Sequence, residues 1–216
     1  KSKQFLTLFD ALDKGRSPEK KLTANPSVAH NYLYGSILNS LTNYQEAGLP
    51  EKKIARWIDH ALILYKKGLA AQSMKVLERA FILADRYEDH IQIQSICNLQ
   101  RAILASHRAI RSNRLTMEEV LNRNLKAAKN AELLARLRFV QYRFQTEVVN
   151  FSSADRIKLS DLLFILEDEA MLEADKSSSV RSQITANHVR SQYYLLANDQ
   201  EKGMEYGRMV FDLSYE

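Results

Sequence analysis

The side chains of this 216-residue chain best suited to acid–base or metal chemistry are its five histidines, His30, His60, His90, His107 and His188. No two of them stand three or four residues apart, the interval that would put two metal ligands on one helix face. Asp85, Asp89 and His90 come nearest to a divalent-ion cluster. A structural metal site needs four matched ligands, so the triplet is expected to be a polar turn between helices. Glu167, Asp168, Glu169 and Glu173 are of the right type for acid and base work. Two carboxylates divide those roles only where an apolar pocket pushes their pKa values apart, and an exposed helix end is expected here instead. The single cysteine, Cys97, sits in the apolar-periodic run 93–103. It cannot form an internal disulfide, fits a reducing compartment, and is expected to pack as a small core residue. The sequence holds no Gly-rich phosphate loop, no Cys-x-x-Cys pair and no His-Glu-x-x-His. The expectation is a protein that binds and does not catalyse, with no cofactor and no metal.

Charge is the second chemical resource. The formal net charge is +5, but the excess is local. Residues 101–145 hold ten Lys or Arg against Glu118, Glu119 and Glu132. Residues 146–175 reverse the balance, with Glu147, Asp155, Glu167, Asp168, Glu169, Glu173 and Asp175 among the acids. Lys129, Arg136 and Arg143 recur every seven residues, so on one continuous helix they form a basic stripe able to face a phosphate backbone or an acidic peptide. A nucleic-acid-associated regulator using segment 101–145 is therefore the alternative reading. Against it, Glu132 precedes Arg136 by four and Glu147 follows Arg143 by four, the spacing of ordinary pairs on a solvated helix face.

The elements that must position these groups read as helices. Six Gly and three Pro in the whole chain leave few obligatory breaks. Pro18, Pro26 and Pro50 stand where helices start, at positions whose N–H has no helical partner in any case. Thr116 and Glu119 have the spacing of a capping box. Ile54, Trp57, Ile58, Ala61, Leu62 and Tyr65 follow steps of three and four, the signature of one buried face, and no segment alternates like a strand. Helices are predicted over 4–13, 27–47, 51–67, 70–87, 91–107, 117–149, 154–173, 180–197 and 200–213, with Asn130 a candidate break in the longest.

Two stretches, 60–84 and 189–210, share a plan. In the first, Leu64 and Tyr65 end a helix, Gly68 supplies a left-handed turn, and Ser73, Leu77, Ala80 and Ala84 follow at helical spacing. In the second, Tyr193, Tyr194 and Leu195 precede the turn Asn198-Asp199, and Gly203, Gly207 and Val210 follow where Ser73, Leu77 and Ala80 stood. Asn substitutes for Gly at such a C-cap, and Asp199 caps the next helix. These stretches, about a quarter of the chain, resemble tetratricopeptide repeats in the degenerate form found in bacterial helical-repeat proteins. The Trp, Leu and Gly of the family's first helix are missing, as is the closing Pro, and Gly207 stands where the second copy should carry a large aromatic.

The resemblance implies an all-α fold, an α–α superhelix of antiparallel helical hairpins in a right-handed solenoid, acting as a scaffold that binds another protein's peptide or helix in a groove. It places the groove on the first helix of each hairpin. Arg56, Asp59 and His60 ahead of Tyr65, and Gln183, Asn187 and Arg190 ahead of Tyr194, are then the polar positions expected to meet a peptide. The ten tyrosines suit either an interface or the inner packing layer of such repeats. One domain is expected over 1–216, a fragment of a longer chain, with the polar stretch 14–26 as a flexible joint after a short first helix. No run has the length and apolarity of a membrane span, so a soluble cytoplasmic protein is expected.

Overall fold

The computed structural model describes residue 14 and residues 26–46, 49–106, 115–151 and 162–215. The helix expected over 4–13 and the interior of the joint expected over 14–26 lie outside the described residues, as does Pro18. The chain divides into two compact units, residues 1–53 and 54–216. In the first, α1 runs Pro26–Glu46 and leaves Tyr32, Tyr34, Leu38 and Leu41 exposed.

In the second unit, α2 (Pro50–Lys66, whose first turn belongs to the first unit) is followed by α3 (Ala70–Arg86), α4 (His90–Ser106) and α5 (Met117–Phe151). Then come α6 (Leu163–Leu166), α7 (Glu169–Lys176), α8 (Val180–Leu196) and α9 (Gln200–Leu213). Among the described residues all regular structure is helical, and no helix is long and apolar enough to cross a membrane. Pro26 and Pro50 each open a helix as expected. The Thr116 capping box is formed reciprocally: Thr116 Oγ1 accepts from the Glu119 N–H at 3.1 Å, and Glu119 Oε2 accepts from the Thr116 N–H at 2.7 Å. Those bonds hold the Glu119 carboxyl below its usual pKa.

One open alternative is decided and one expectation needs correction. Asn130 does not break its helix: α5 is continuous over 35 residues, roughly 50 Å at 1.5 Å per residue. The single helix expected over 154–173 is, in its described part, two short ones. Asp168 leaves helical geometry at ψ 133, and its side chain accepts from the Ala170 N–H, capping α7 and separating it from α6.

α5 is the spine of the unit because its two halves serve different cores. Val120 and Ala127 on its first half join Ile54 and Ala61 of α2, Met74, Leu77 and Ala80 of α3, and Ile96 and Ile103 of α4. Leu133, Leu137, Val140 and Phe144 on its second half join Leu162, Ile165, Met171, Ala186 and Val189. Continuity of α5 therefore fixes the register between two apolar clusters.

Three hairpins turn in the same way. After α2, Gly68 has φ +77; its N–H bonds Tyr65 O and the next N–H bonds Leu64 O, both at 2.9 Å. After α8, Asn198 has φ 59, with the equivalent bonds to Leu195 O and Tyr194 O. After α3, Glu88 has φ 48, with bonds to Asp85 O and Ala84 O. Each is a Schellman turn that satisfies the last carbonyls of its helix. The close approaches also correspond. Ser73 Oγ on α3 donates to Ala61 O on α2 at 2.7 Å, and Ser191 Oγ on α8 donates to Gly203 O on α9 at 2.8 Å. Positions 61 and 73 correspond to 191 and 203, so the serine has changed helices while the bond across the hairpin is kept.

Candidate functional site

Glu88 joins the α3–α4 turn to the start of α8 by three side-chain hydrogen bonds. Its left-handed backbone costs about 1–2 kcal/mol for a residue with a Cβ. The side chain shows what that conformation allows. Glu88 Oε1 accepts from the Val180 N–H at 2.8 Å, and Oε2 accepts from the Arg181 N–H at 2.8 Å and from Ser179 Oγ at 3.0 Å. A carboxylate at the end of the α3–α4 hairpin thus caps the first turn of α8, where unpaired N–H groups and the helix dipole favour negative charge. Ser179 completes the cap by accepting from the Ser182 N–H.

Beside this cap lies a cavity of about 320 Å³. Asp85 from the end of α3, Glu88 from the turn after it and His90 from the start of α4 line it together with Arg123, Lys126 and Asn130 of α5. Phe81, Ile93 and Ala127 supply apolar surface, and Ser178 stands at one side. His90 is buried with Nε2 unpartnered, and burial pulls its pKa below the usual 6.5 against the opposing pull of Glu88. Arg123 is not free: it holds both oxygens of Glu78 at 3.0–3.1 Å and lies 4.1 Å over the Phe81 ring. Gln100 Nε2 donates to the same glutamate at 3.3 Å, joining α3, α4 and α5. Cys97, nearby in the core, has its thiol pushed up to about 11 by burial, so it is an unreactive packing residue.

The Asp85, Asp89 and His90 side chains do not form a metal site. Asp85 is exposed, Asp89 Oδ1 accepts from the Gln92 N–H at the start of α4, and His90 is buried. Among the described residues no group of three or more His, Cys, Asp or Glu side chains is placed to hold a metal ion. The carboxylates at 167–173 sit around the start of α7, with Asp168 as its cap and Glu173 bound to Arg136.

No family model, curated protein or solved structure matches this chain. The residues themselves must carry any functional reading.

The expected groove positions divide sharply. Arg56, Asp59 and His60 are exposed on α2. Arg190 and Asn187 are buried, at 8 % exposure each, and Gln183 is half-buried with its amide donating to Ser177 O at 2.7 Å. Arg190 grips Asp175 with two bonds of 2.6 and 2.8 Å, donates to Met171 O and Asn187 Oδ1, and lies 5.6 Å over Tyr206. It locks α7 against α8 and α9. The six residues are therefore not one surface. In the basic stripe, Lys129 is exposed, Arg136 binds Glu173 and Glu132, and Arg143 lies over Phe164 at 4.3 Å. Two of its three cations are engaged within the fold.

Sequence reasoning passed over the outer face of α9. This helix packs on α8 through Gly203 and the half-buried Tyr206, Gly207 and Val210. On its other side Met204 and Phe211 are 55 and 61 % exposed, and Tyr215, two residues past the end of the helix, is 78 % exposed. They stand seven and four residues apart, and the Phe211 and Tyr215 rings meet at 4.7 Å. Glu201, Glu205, Met209 and Asp212 lie alongside, with Arg208 as the one cation of the strip. The helical spacing was legible, but apolar residues at that spacing read equally well as core.

Proposed function

We propose that this chain is a non-catalytic protein-interaction scaffold, a tetratricopeptide-like α–α superhelix whose last described helix receives a basic amphipathic peptide or helix of another protein. The observation that carries the reading is the exposed Met204–Phe211–Tyr215 stripe flanked by Glu201, Glu205 and Asp212. Met204 and Phe211 share one face of α9, and the Tyr215 ring, just past the helix end, packs on Phe211; exposed apolar side chains so arranged are the complement of an apolar helix stripe, and Met adapts to varied partners. The acidic margin selects a basic partner and speeds its encounter.

The superhelical reading is supported by the repeated Schellman turns and by the Ser73 and Ser191 crossings. One departure stands beside it. α2, α3 and α4 begin at residues 50, 70 and 90, so a helix pair occupies about 40 residues, longer than the 34 of a standard tetratricopeptide repeat. A cytoplasmic setting accords with the buried, unpaired Cys97.

Partner capture from native lysate, with and without nuclease and at two salt concentrations, tests the reading when wild type is run beside Phe211→Ala. Support is a nuclease-insensitive protein that binds through a basic amphipathic segment and is lost with Phe211→Ala. Recovery of nucleic acid that disappears at high salt would transfer the function to segment 101–145.

A further inference from the structure

The cavity between the α3–α4 turn and α5 has a charge pattern that the fold does not neutralise. Four ionic side chains line it: Asp85, Glu88, Arg123 and Lys126. Glu88 is engaged by the first turn of α8, and Arg123 by Glu78. Among the described residues, the carboxylate of Asp85 and the ammonium of Lys126 are left without a hydrogen-bond or ion-pair partner. One comes from α3 and the other from α5; Phe81, Ile93 and Ala127 line the same cavity, and Asn130 follows Lys126 by one helical turn on α5.

We propose that this cavity binds a small zwitterion of the free amino-acid class, its ammonium toward Asp85, its carboxylate toward Lys126 and Asn130, and its side chain against Phe81 and Ile93. A simple anion would bring its charge up against Asp85 and Glu88, and a simple cation would meet Lys126 and Arg123. One molecule carrying both charges satisfies both groups. The cavity, about 320 Å³, lies at the small end of the roughly 300–1,000 Å³ typical of small-molecule sites. That size accommodates an amino acid and excludes a folded peptide segment. The site is separate from the outer face of α9 and does not depend on how that face is used.

The test is an NMR titration of the full chain with individual free amino acids at millimolar concentration, following the imidazole of His90 and the side-chain amide of Asn130. Each amino acid that binds is then compared with its N-acetyl derivative, which lacks the ammonium, and its amide, which lacks the carboxylate. The expected result is a saturable shift of both probes by at least one free amino acid. Each derivative should bind roughly tenfold or more weakly, as should the parent ligand to Asp85→Asn or Lys126→Gln. Both substituted side chains are exposed, so the variants retain the wild-type circular dichroism and Tm. The proposal is overturned if no free amino acid moves either probe, if the derivatives bind as well as the parent, or if both variants keep wild-type affinity.

Discussion

The carboxylate of Glu88 accepts a hydrogen bond of 2.8 Å from the backbone N–H of Val180, so one end of the α3–α4 hairpin closes the start of a helix 92 residues further along the chain. The bond ties the two apolar clusters together a second time, independently of α5. It also accounts for a glutamate in left-handed geometry, where Gly68 and Asn198 serve the equivalent turns.

Replacing Glu88 separates its two contributions. Glu88→Ala keeps the strained backbone and removes the cap, and should cost about 1–2 kcal/mol in urea unfolding. Glu88→Gly removes the cap but relieves the backbone, so it should cost less than the alanine variant. An alanine variant as stable as wild type would show that the cap contributes nothing.

His90 gives a pH dependence of definite sign. Its folded pKa is lowered from 6.5 by burial, so the neutral form is favoured in the fold. Its contribution is fully present above the unfolded value and is lost as pH falls through 6.5 toward the folded value. Unfolding curves at a pH above and a pH below this window should show wild type losing more stability than His90→Asn. Equal losses in the two proteins would remove His90 as the titrating group.

Gly203 is required by closeness, not by backbone angle. A Cβ at this position would lie 2.7 and 2.8 Å from Leu195 side-chain carbons and 3.2 Å from its backbone nitrogen. Gly203→Ala should therefore destabilise by about 1–3 kcal/mol despite the better helix propensity of alanine. Gly207→Ala, where the nearest atom is Ser191 Oγ at 3.5 Å, should be neutral or stabilising when both variants are compared with wild type by thermal unfolding.

Arg190 should behave as a structural residue. Arg190→Lys loses the two-pronged grip on Asp175 and at least one further bond, with an expected cost of about 1.5–3 kcal/mol. Its signature is a lower Tm with no change in affinity for a partner that docks on α9. A variant with wild-type stability and weakened binding would return Arg190 to the interface.

How much of this was legible in the sequence follows from the range of each interaction. The turns at Gly68 and Asn198 and the Thr116 box were readable because residue types that tolerate left-handed geometry, or that cap helices, announce themselves within a few positions. Glu88 was not readable, since glutamate is no signal for that geometry and its partners lie in α8. Arg190 and Asn187 looked like polar positions facing outward, but Asp175 and Met171 O on α7 meet Arg190 inside the fold. The division of α6 from α7 was hidden because Asp168, which caps α7, stands between two other acids, Glu167 and Glu169. The stripe on α9 had visible spacing, yet only the packing of α9 on α8 shows which side of that helix stays uncovered.

The central claim is that the outer face of α9 receives a basic amphipathic helix, and a fluorescence-anisotropy titration tests it most directly. The probe is a labelled synthetic helix with a leucine stripe flanked by lysines, with a version carrying glutamates in place of the lysines as control. The account predicts saturable binding of the lysine helix alone, weakened about tenfold by Phe211→Ala and weakened again by Glu205→Lys, with no effect of Arg56→Ala. Binding of both helices alike, or wild-type affinity in Phe211→Ala, would contradict it.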